Sequence, residues 1–514
     1  MALQHVLFSK EITNTQLIAT VIFGIVSVYA ATICVYRLYF HPLSRFPGPR
    51  IAAVSNTWYA YHWLSGRYPW AIESILKKYG DVVRIAPNEL VFITPQATMD
   101  IYSPHKKSLE VFVKTDFQNR GKNLGGIIWE ENPARHRQTA KKLAPAFSSR
   151  SIKAMEPVVH EYIDFFLARM EELGATSNEI ELVDWMNWLA MDMSADLAWN
   201  EKMHEMRDMK SSEYLDVMLA FNSFATVIQV FKRFPLLHPL MYFCAPITKI
   251  LAFLRMEENT RVGVRRRIAQ RGSIEHVDYF EHVLPADSPL PTDLEEFTHL
   301  GAVALQVTFA GFGPMSDWFY GTICFILQYP ECYILLAEEI RNKFNSYNDI
   351  TPGALATLPY LHACLEETLR MFPSNNTGLP RYSPGAMVDG QYIPKGTHVQ
   401  TSVFALARSS RYFADPMHYR PQRWLPSSHH LYDPKFVNDD RKGLFPFNLG
   451  PRVCMGKEMA WIQGKLFMAK LLWTFDFLLA PGQHVDLEGP LLHYGFLIKP
   501  KLKVKFEKVS REKI

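Results

Sequence analysis

Charge of one sign is what this 514-residue chain lacks: 55 Lys and Arg stand against 51 Asp and Glu, a net charge of +4 with neutral histidine. A surplus that small leaves no electrostatic footprint for nucleic acid. Cysteine is also scarce. The six residues Cys34, Cys244, Cys324, Cys332, Cys364 and Cys454 form no CxxC pair and no close cluster with histidine. That argues against a zinc site and fits free thiols in a reducing compartment. No repeat period, low-complexity linker, or flavin or nicotinamide fingerprint stands out. No hydrophobic segment of length comparable to the N-terminal one is expected after it. Hydrophobic residues at 48% and charged residues at 21% exclude a disordered chain.

What is present begins with Leu17 to Tyr36, 20 residues without a charge. As a helix this run covers about 30 Å, one hydrocarbon thickness. Tyr36, Arg37, Tyr39, Phe40, Arg45 and Arg50 close it with the aromatic and basic residues of a membrane interface. Lys10 is the one basic residue before it, so the positive-inside rule places the C-terminal bulk in the cytosol. The run is too long for the apolar core of a cleaved signal. Residues 1–16 read as a tail, 17–36 as a transmembrane anchor and 37–50 as a Pro-rich hinge. The prolines and glycine of His41-Pro42-Leu43-Ser44-Arg45-Phe46-Pro47-Gly48-Pro49 cannot continue a helix.

Residues 51–514 read as one large, mainly α domain with a small β portion. Asp81-Val82-Val83-Arg84-Ile85 and Leu90-Val91-Phe92-Ile93 predict a β-hairpin. Thr292 with Glu295 forms a capping box that opens a helix of roughly thirty residues, up to Tyr329-Pro330. Its middle reads Ala310-Gly311-Phe312-Gly313-Pro314. Taken alone, this predicts two helices joined by a turn; Ser316 and Asp317 stand within a turn of Pro314 but are expected to face elsewhere. The other reading is a single helix opened beside a ligand, because proline frees the Ala310 carbonyl. On the next helix, around 358–372, Glu367 and Arg370 share a face at spacing i, i+3 and can pair.

Near the C-terminus stands Phe447-Asn448-Leu449-Gly450-Pro451-Arg452-Val453-Cys454-Met455-Gly456. Its glycines permit a tight loop close to a planar ligand. Backbone N–H groups, Arg452 and the start of a following helix would favour a thiolate. A buried structural cysteine is the alternative. The segment resembles, at every fixed position, the haem-binding signature Phe-x-x-Gly-x-Arg-x-Cys-x-Gly of the cytochrome P450 family. Glu367-Thr368-Leu369-Arg370 resembles that family's Glu-x-x-Arg motif, and Pro421-Gln422-Arg423-Trp424 the segment completing its charged triad. The hinge and the stretch His136 to Phe147 are similar as well. The resemblance covers essentially the whole chain and is strongest to fungal microsomal members that tailor secondary metabolites.

The resemblance implies the cytochrome P450 fold behind one N-terminal transmembrane helix, and heme b held by Cys454 as axial thiolate, which favours O–O cleavage. It implies that Phe447 packs on the ligand loop and that Gly450 and Gly456 permit its approach. Arg452, Arg381 and His136 would hold the propionates. Glu367, Arg370 and Arg423 would form a buried structural triad. It implies a monooxygenase in the endoplasmic reticulum membrane, its catalytic domain cytosolic, using dioxygen and electrons from a separate NADPH–cytochrome P450 reductase. Lys141, Lys142, Arg441, Lys442 and Lys457 would meet that partner. A sizeable lipophilic substrate would lie against Phe309, Ala310, Phe312, Gly313, Asn375, Asn376 and Thr377, under a roof at 112–117.

Two positions depart from the family pattern. Ala140 stands where an arginine is usual, flanked by Arg137 and Lys141. Gly313 and Pro314 stand where an acid and an alcohol normally move protons. The oxygen-side residues Ala310, Gly311, Gly313 and Pro314 are therefore atypical. A water on the Ala310 carbonyl, or a substrate group, can fill the gap. A haem-thiolate isomerase or dehydratase, or an inactive haem-binding paralogue, are the other readings.

Overall fold

In the computed structural model, residues 14–116, 125–176, 179–237, 239–240, 247–291 and 293–510 are described. The first helix, α1 (Asn14–Val35), continues through a π turn at Tyr36–Phe40. The apolar span Gln16–Phe40 has 25 residues, a mean hydropathy of 2.3 and no residue buried against the protein. The helix thus outlasts the expected anchor by four residues, and the hinge starts at His41. It is no loose spacer: Leu43 and Phe46 are buried in the core, and the Arg84 N–H donates to the Pro47 carbonyl. The helix Glu213–Phe231 is also long and apolar enough to cross a membrane, with mean hydropathy 1.4. The sequence reading passed over it. Half of it is buried inside the protein, as a helix feeding a core would be.

The expected hairpin is present as β1 (Val82–Ala86) and β2 (Glu89–Phe92), paired antiparallel. Two short strands follow, β3 (Leu109–Glu110) and β4 (Val113–Lys114), and then α2 (Pro133–Leu143), capped by the Asn132 side chain. α3 (Leu182–Trp199) is buried along nearly its whole length and packs against α4 (Leu294–Gln328). Behind α4 come α5 (Pro359–Met371), β5 (Arg381–Tyr382), β6 (His398–Thr401) and α6 (Lys457–Thr474). One sheet runs in the order β1-β2-β6-β5-β4, with β6 parallel to β2. The protein is thus mainly helical with small sheets, as expected.

α4 corrects two expectations. It is one helix of 35 residues that runs through Pro314, so there is no turn between two helices. Its N-cap is Asp293, whose side chain accepts the Glu296 N–H at 2.7 Å; Thr292, expected to cap it, lies outside the described residues. The glycines serve close packing, not a turn. A Cβ on Gly311 would stand 2.2 Å from the Ser194 hydroxyl, and one on Gly313 2.6 Å from the Phe496 ring. Ser316 and Asp317 are buried in a polar knot: Lys499 Nζ donates to Ser316 at 2.7 Å and pairs with Asp317 at 3.0 Å.

Candidate active site

The cysteine loop is fixed by its own backbone. The Cys454 N–H donates to the Phe447 carbonyl at 2.7 Å, and the Asn448 side-chain amide donates to the Arg452 carbonyl at 2.9 Å. Gly450 has φ +61°, and a Cβ there would meet the Tyr102 carbonyl at 2.3 Å. Its glycine is thus required by the protein's own backbone rather than by a ligand. Gly456 has no such constraint, with Phe147 at 3.7 Å the one close neighbour of a Cβ. The Phe447 ring packs edge-on to Trp318, centroids 6.2 Å apart.

Cys454 is exposed, yet enough protein surrounds its sulfur that desolvation lifts the thiol above its ordinary pKa. The Gly456 N–H and the Lys457 ammonium pull it back down. Alone the group stays a thiol near neutrality. A metal ion in place of the proton would hold it as thiolate. On the other side, α4 is buried from Met315 to Ile326, but Ala310 and Pro314, one turn apart, are exposed. An exposed pair in mid-helix marks an open face. Phe309 and Phe312 lie beside it, with Phe496 stacked on Phe309 at 6.2 Å. Asn376 is buried and its Oδ1 lacks a hydrogen-bond partner among the described residues. Asn375 is exposed and Thr377 buried. Phe112 is buried in an apolar cluster with Leu90 and Phe92, and Phe117 lies outside the described residues.

Basic side chains gather at one edge. Arg381 and Lys114 are directly opposite each other across β5 and β4. Like charges so placed repel, and among the described residues no carboxylate pairs with Arg381. Burial, with Arg452 nearby, lowers the Arg381 pKa to about 10. Burial and then Arg381 and Arg452 push Lys114 well down. Burial followed by Arg452, Lys114 and Arg381 drives His136 to about 3, so it is neutral. A buried set of this kind fits a group carrying two carboxylates, as haem does. Lys114, whose ammonium donates to the Ile128 carbonyl, escaped the sequence reading; Arg137 and Lys141 face solvent. Arg452 has other company. Its Nε donates to Glu110 at 2.9 Å and its Nη1 to the Glu130 carbonyl at 2.7 Å.

Beyond the loop, Glu367, Arg370 and Arg423 meet with no exposure at all. Arg370 donates to both Glu367 oxygens at 2.8 Å, and Arg423 Nε to one at 3.1 Å. Trp424 and the Arg420 N–H complete the carboxylate's partners at 2.8 and 2.9 Å. Burial raises the Glu367 pKa, but Arg370 and Arg423 overcome it and leave it below its ordinary value. Asp439, unforeseen from sequence, pairs with the far side of Arg423 and balances the charge. Lys141, Lys142, Arg441, Lys442 and Lys457 are all exposed.

Comparison with known proteins identifies the family of the chain. The family model for cytochrome P450 matches residues 54–506. The cytochrome P450 monooxygenase TwmD of Talaromyces wortmannii is 47% identical over 96% of this chain and 97% of its own. The monooxygenase poxC of Penicillium oxalicum is 36% identical over 93% and 92%. BOA3 of Botryotinia fuckeliana, also a cytochrome P450 monooxygenase, is 34% identical over 93% and 94%. With a cysteine loop, a buried Glu-x-x-Arg pair and a carboxylate-seeking basic edge on one frame, this oxidoreductase is a monooxygenase that belongs to the cytochrome P450 family.

Proposed function

We propose that this cytochrome P450 oxidises a lipophilic small molecule bearing some oxygen, as a step of fungal secondary-metabolite synthesis. Dioxygen and two electrons from a separate NADPH–cytochrome P450 reductase would be consumed, one oxygen atom entering the substrate and the other leaving as water. The site would be the cytosolic face of the endoplasmic reticulum membrane, where α1 would anchor the chain. Haem, when bound, supplies the activation of dioxygen. Cys454 supplies the thiolate, kept in place by the Phe447 carbonyl and tuned by the Gly456 N–H. Arg381, Lys114 and His136 orient the carboxylate edge. The exposed lysines and arginines around Lys457 offer an acidic flavin domain a complementary surface.

The observation that carries this reading is the exposed Ala310–Pro314 face of α4. An interior proline leaves the carbonyl four residues back without its helical donor. The Ala310 carbonyl can therefore hold a water or a substrate hydroxyl as the proton carrier, in place of an acid–alcohol pair. Phe309, Phe312 and Phe496 form apolar walls beside it. The same feature admits a second reading, an isomerisation that needs no external electrons. Product formed per NADPH consumed, with hydrogen peroxide as the leak, separates them. The wild type should depend on NADPH and dioxygen, and Pro314→Thr should change the coupling. Turnover without NADPH, or unchanged coupling, overturns the proposal.

A further inference from the structure

Gln306 stands on α4 one turn before Ala310 and two before Pro314, so the three share a face. At 310 and 314 that face is exposed, while Gln306 is fully buried. What covers it is the chain at 125–129. The Gln306 Oε1 accepts the N–H groups of Ile127 at 2.8 Å, Ile128 at 2.7 Å and Trp129 at 3.4 Å. Its Nε2 donates to the Gly125 carbonyl at 3.1 Å. One side-chain amide thus satisfies four backbone groups of a segment that belongs to no helix or strand. Two turns earlier on the same face, His299 Nδ1 accepts the Gly126 N–H at 3.2 Å. The fit is close: Gly126 has φ +83°, and a Cβ there would lie 2.0 Å from the Gln306 Nε2. The segment ends on Trp129, whose ring lies 6.3 Å from that of Phe309, next to Ala310.

We propose that Gln306 is a positioning residue of the substrate pocket. Being buried, it does not itself reach the open Ala310–Pro314 face. It pins 125–129 against α4, so that Trp129 stands beside Phe309 as a preformed wall at the edge of that face. A molecule large enough to reach the wall finds it already ordered and binds without the cost of ordering it. A molecule confined to the iron is indifferent to it. This inference rests on the haem-thiolate reading, whose failure shows in the reduced–CO spectrum of the wild type and not in the backbone exchange measured below.

The test uses the full chain with haem and two probes that ligate iron through an azole nitrogen, bulky clotrimazole and small imidazole, each titrated by the shift of the haem Soret band. Amide hydrogen exchange over 125–129 is measured alongside. The wild-type amides should be protected. Gln306→Leu leaves them without their acceptor, so exchange there should rise about tenfold or more. Clotrimazole should then bind about fivefold or more weakly, and imidazole within about twofold of wild type. Gly126→Ala drives a methyl group into the same amide and should act alike, with the double variant no worse than either, as members of one contact are. Gln306→Glu keeps an acceptor for the same N–H groups and should retain most of the protection and of the clotrimazole affinity. Unprotected amides in the wild type, clotrimazole binding in Gln306→Leu that moves no more than imidazole binding, or equal losses in Gln306→Glu and Gln306→Leu would overturn the proposal. Should Gln306→Leu fail to fold, Gly126→Ala decides by the same two readouts.

Discussion

The Glu367 carboxylate accepts from Arg370, Arg423, Trp424 and the Arg420 backbone. Two arginines against Glu367 and Asp439 make a neutral buried set, so removing one charge strands the rest. Glu367→Gln should cost about 3–5 kcal/mol, read by denaturant unfolding of the haem-loaded protein. The folded remainder should keep the thiolate-type reduced–CO band, because the set lies behind the cysteine loop and does not touch the sulfur. Cys454→Ser should behave in the opposite way. The Cys454 N–H bond to Phe447 is backbone and survives, so the fold persists while the thiolate-type band disappears. Both residues were legible from sequence, since each sits in a short motif whose spacing fixes its neighbours. Asp439 and Glu110 were not, because their partners Arg423 and Arg452 reach them through tertiary structure, nor was Lys114, which the strand register sets opposite Arg381.

At the scale of an element, α4 shows where local rules lose to packing. Two glycines and a proline within four residues argue for a break. The helix continues because Ser194 and Phe496 occupy the room that side chains at 311 and 313 would need, and because the carbonyl freed by Pro314 lies on the exposed face. Neither neighbour is near in sequence, so the pattern alone could not reveal them. The hairpin at 82–92 was readable because its strands and its turn are contiguous. The same packing gives a prediction for the missing acid. Gly313→Asp should not restore the family's relay, because it drives a side chain into the Phe496 ring and costs about 1–3 kcal/mol. Adding Phe496→Ala should recover most of that loss, measured as thermal unfolding of the pair against each single variant.

For the molecule as a whole, folding should respond to pH through Glu205, outside the active site. Burial pushes its carboxyl from 4.5 to about 8, and the nearby Asp192 adds to the effect. Its Oε1 accepts the Ser212 N–H at 2.9 Å, and its Oε2 has no partner among the described residues. The folded state therefore holds a proton that the unfolded chain releases. The resulting stabilisation is complete below about 4.5 and is lost as pH rises towards 8. Unfolding free energy measured across that window should fall, and Glu205→Gln should flatten the fall.

The join between anchor and domain has a further consequence at this scale. Leu43 and Phe46 belong to the same buried cluster as Leu90 and Phe92, so the core packed on the sheet includes the chain that leads away from α1. Deleting residues 1–40 should spare the domain. Deleting 1–49 should lower its melting temperature, because each lost core side chain costs about 2–5 kcal/mol. The bilayer attachment is then a rigid mount and not a leash. The catalytic body meets the lipid at an attitude inherited from its own packing, and a molecule dissolved in that lipid approaches the same side of the enzyme every time.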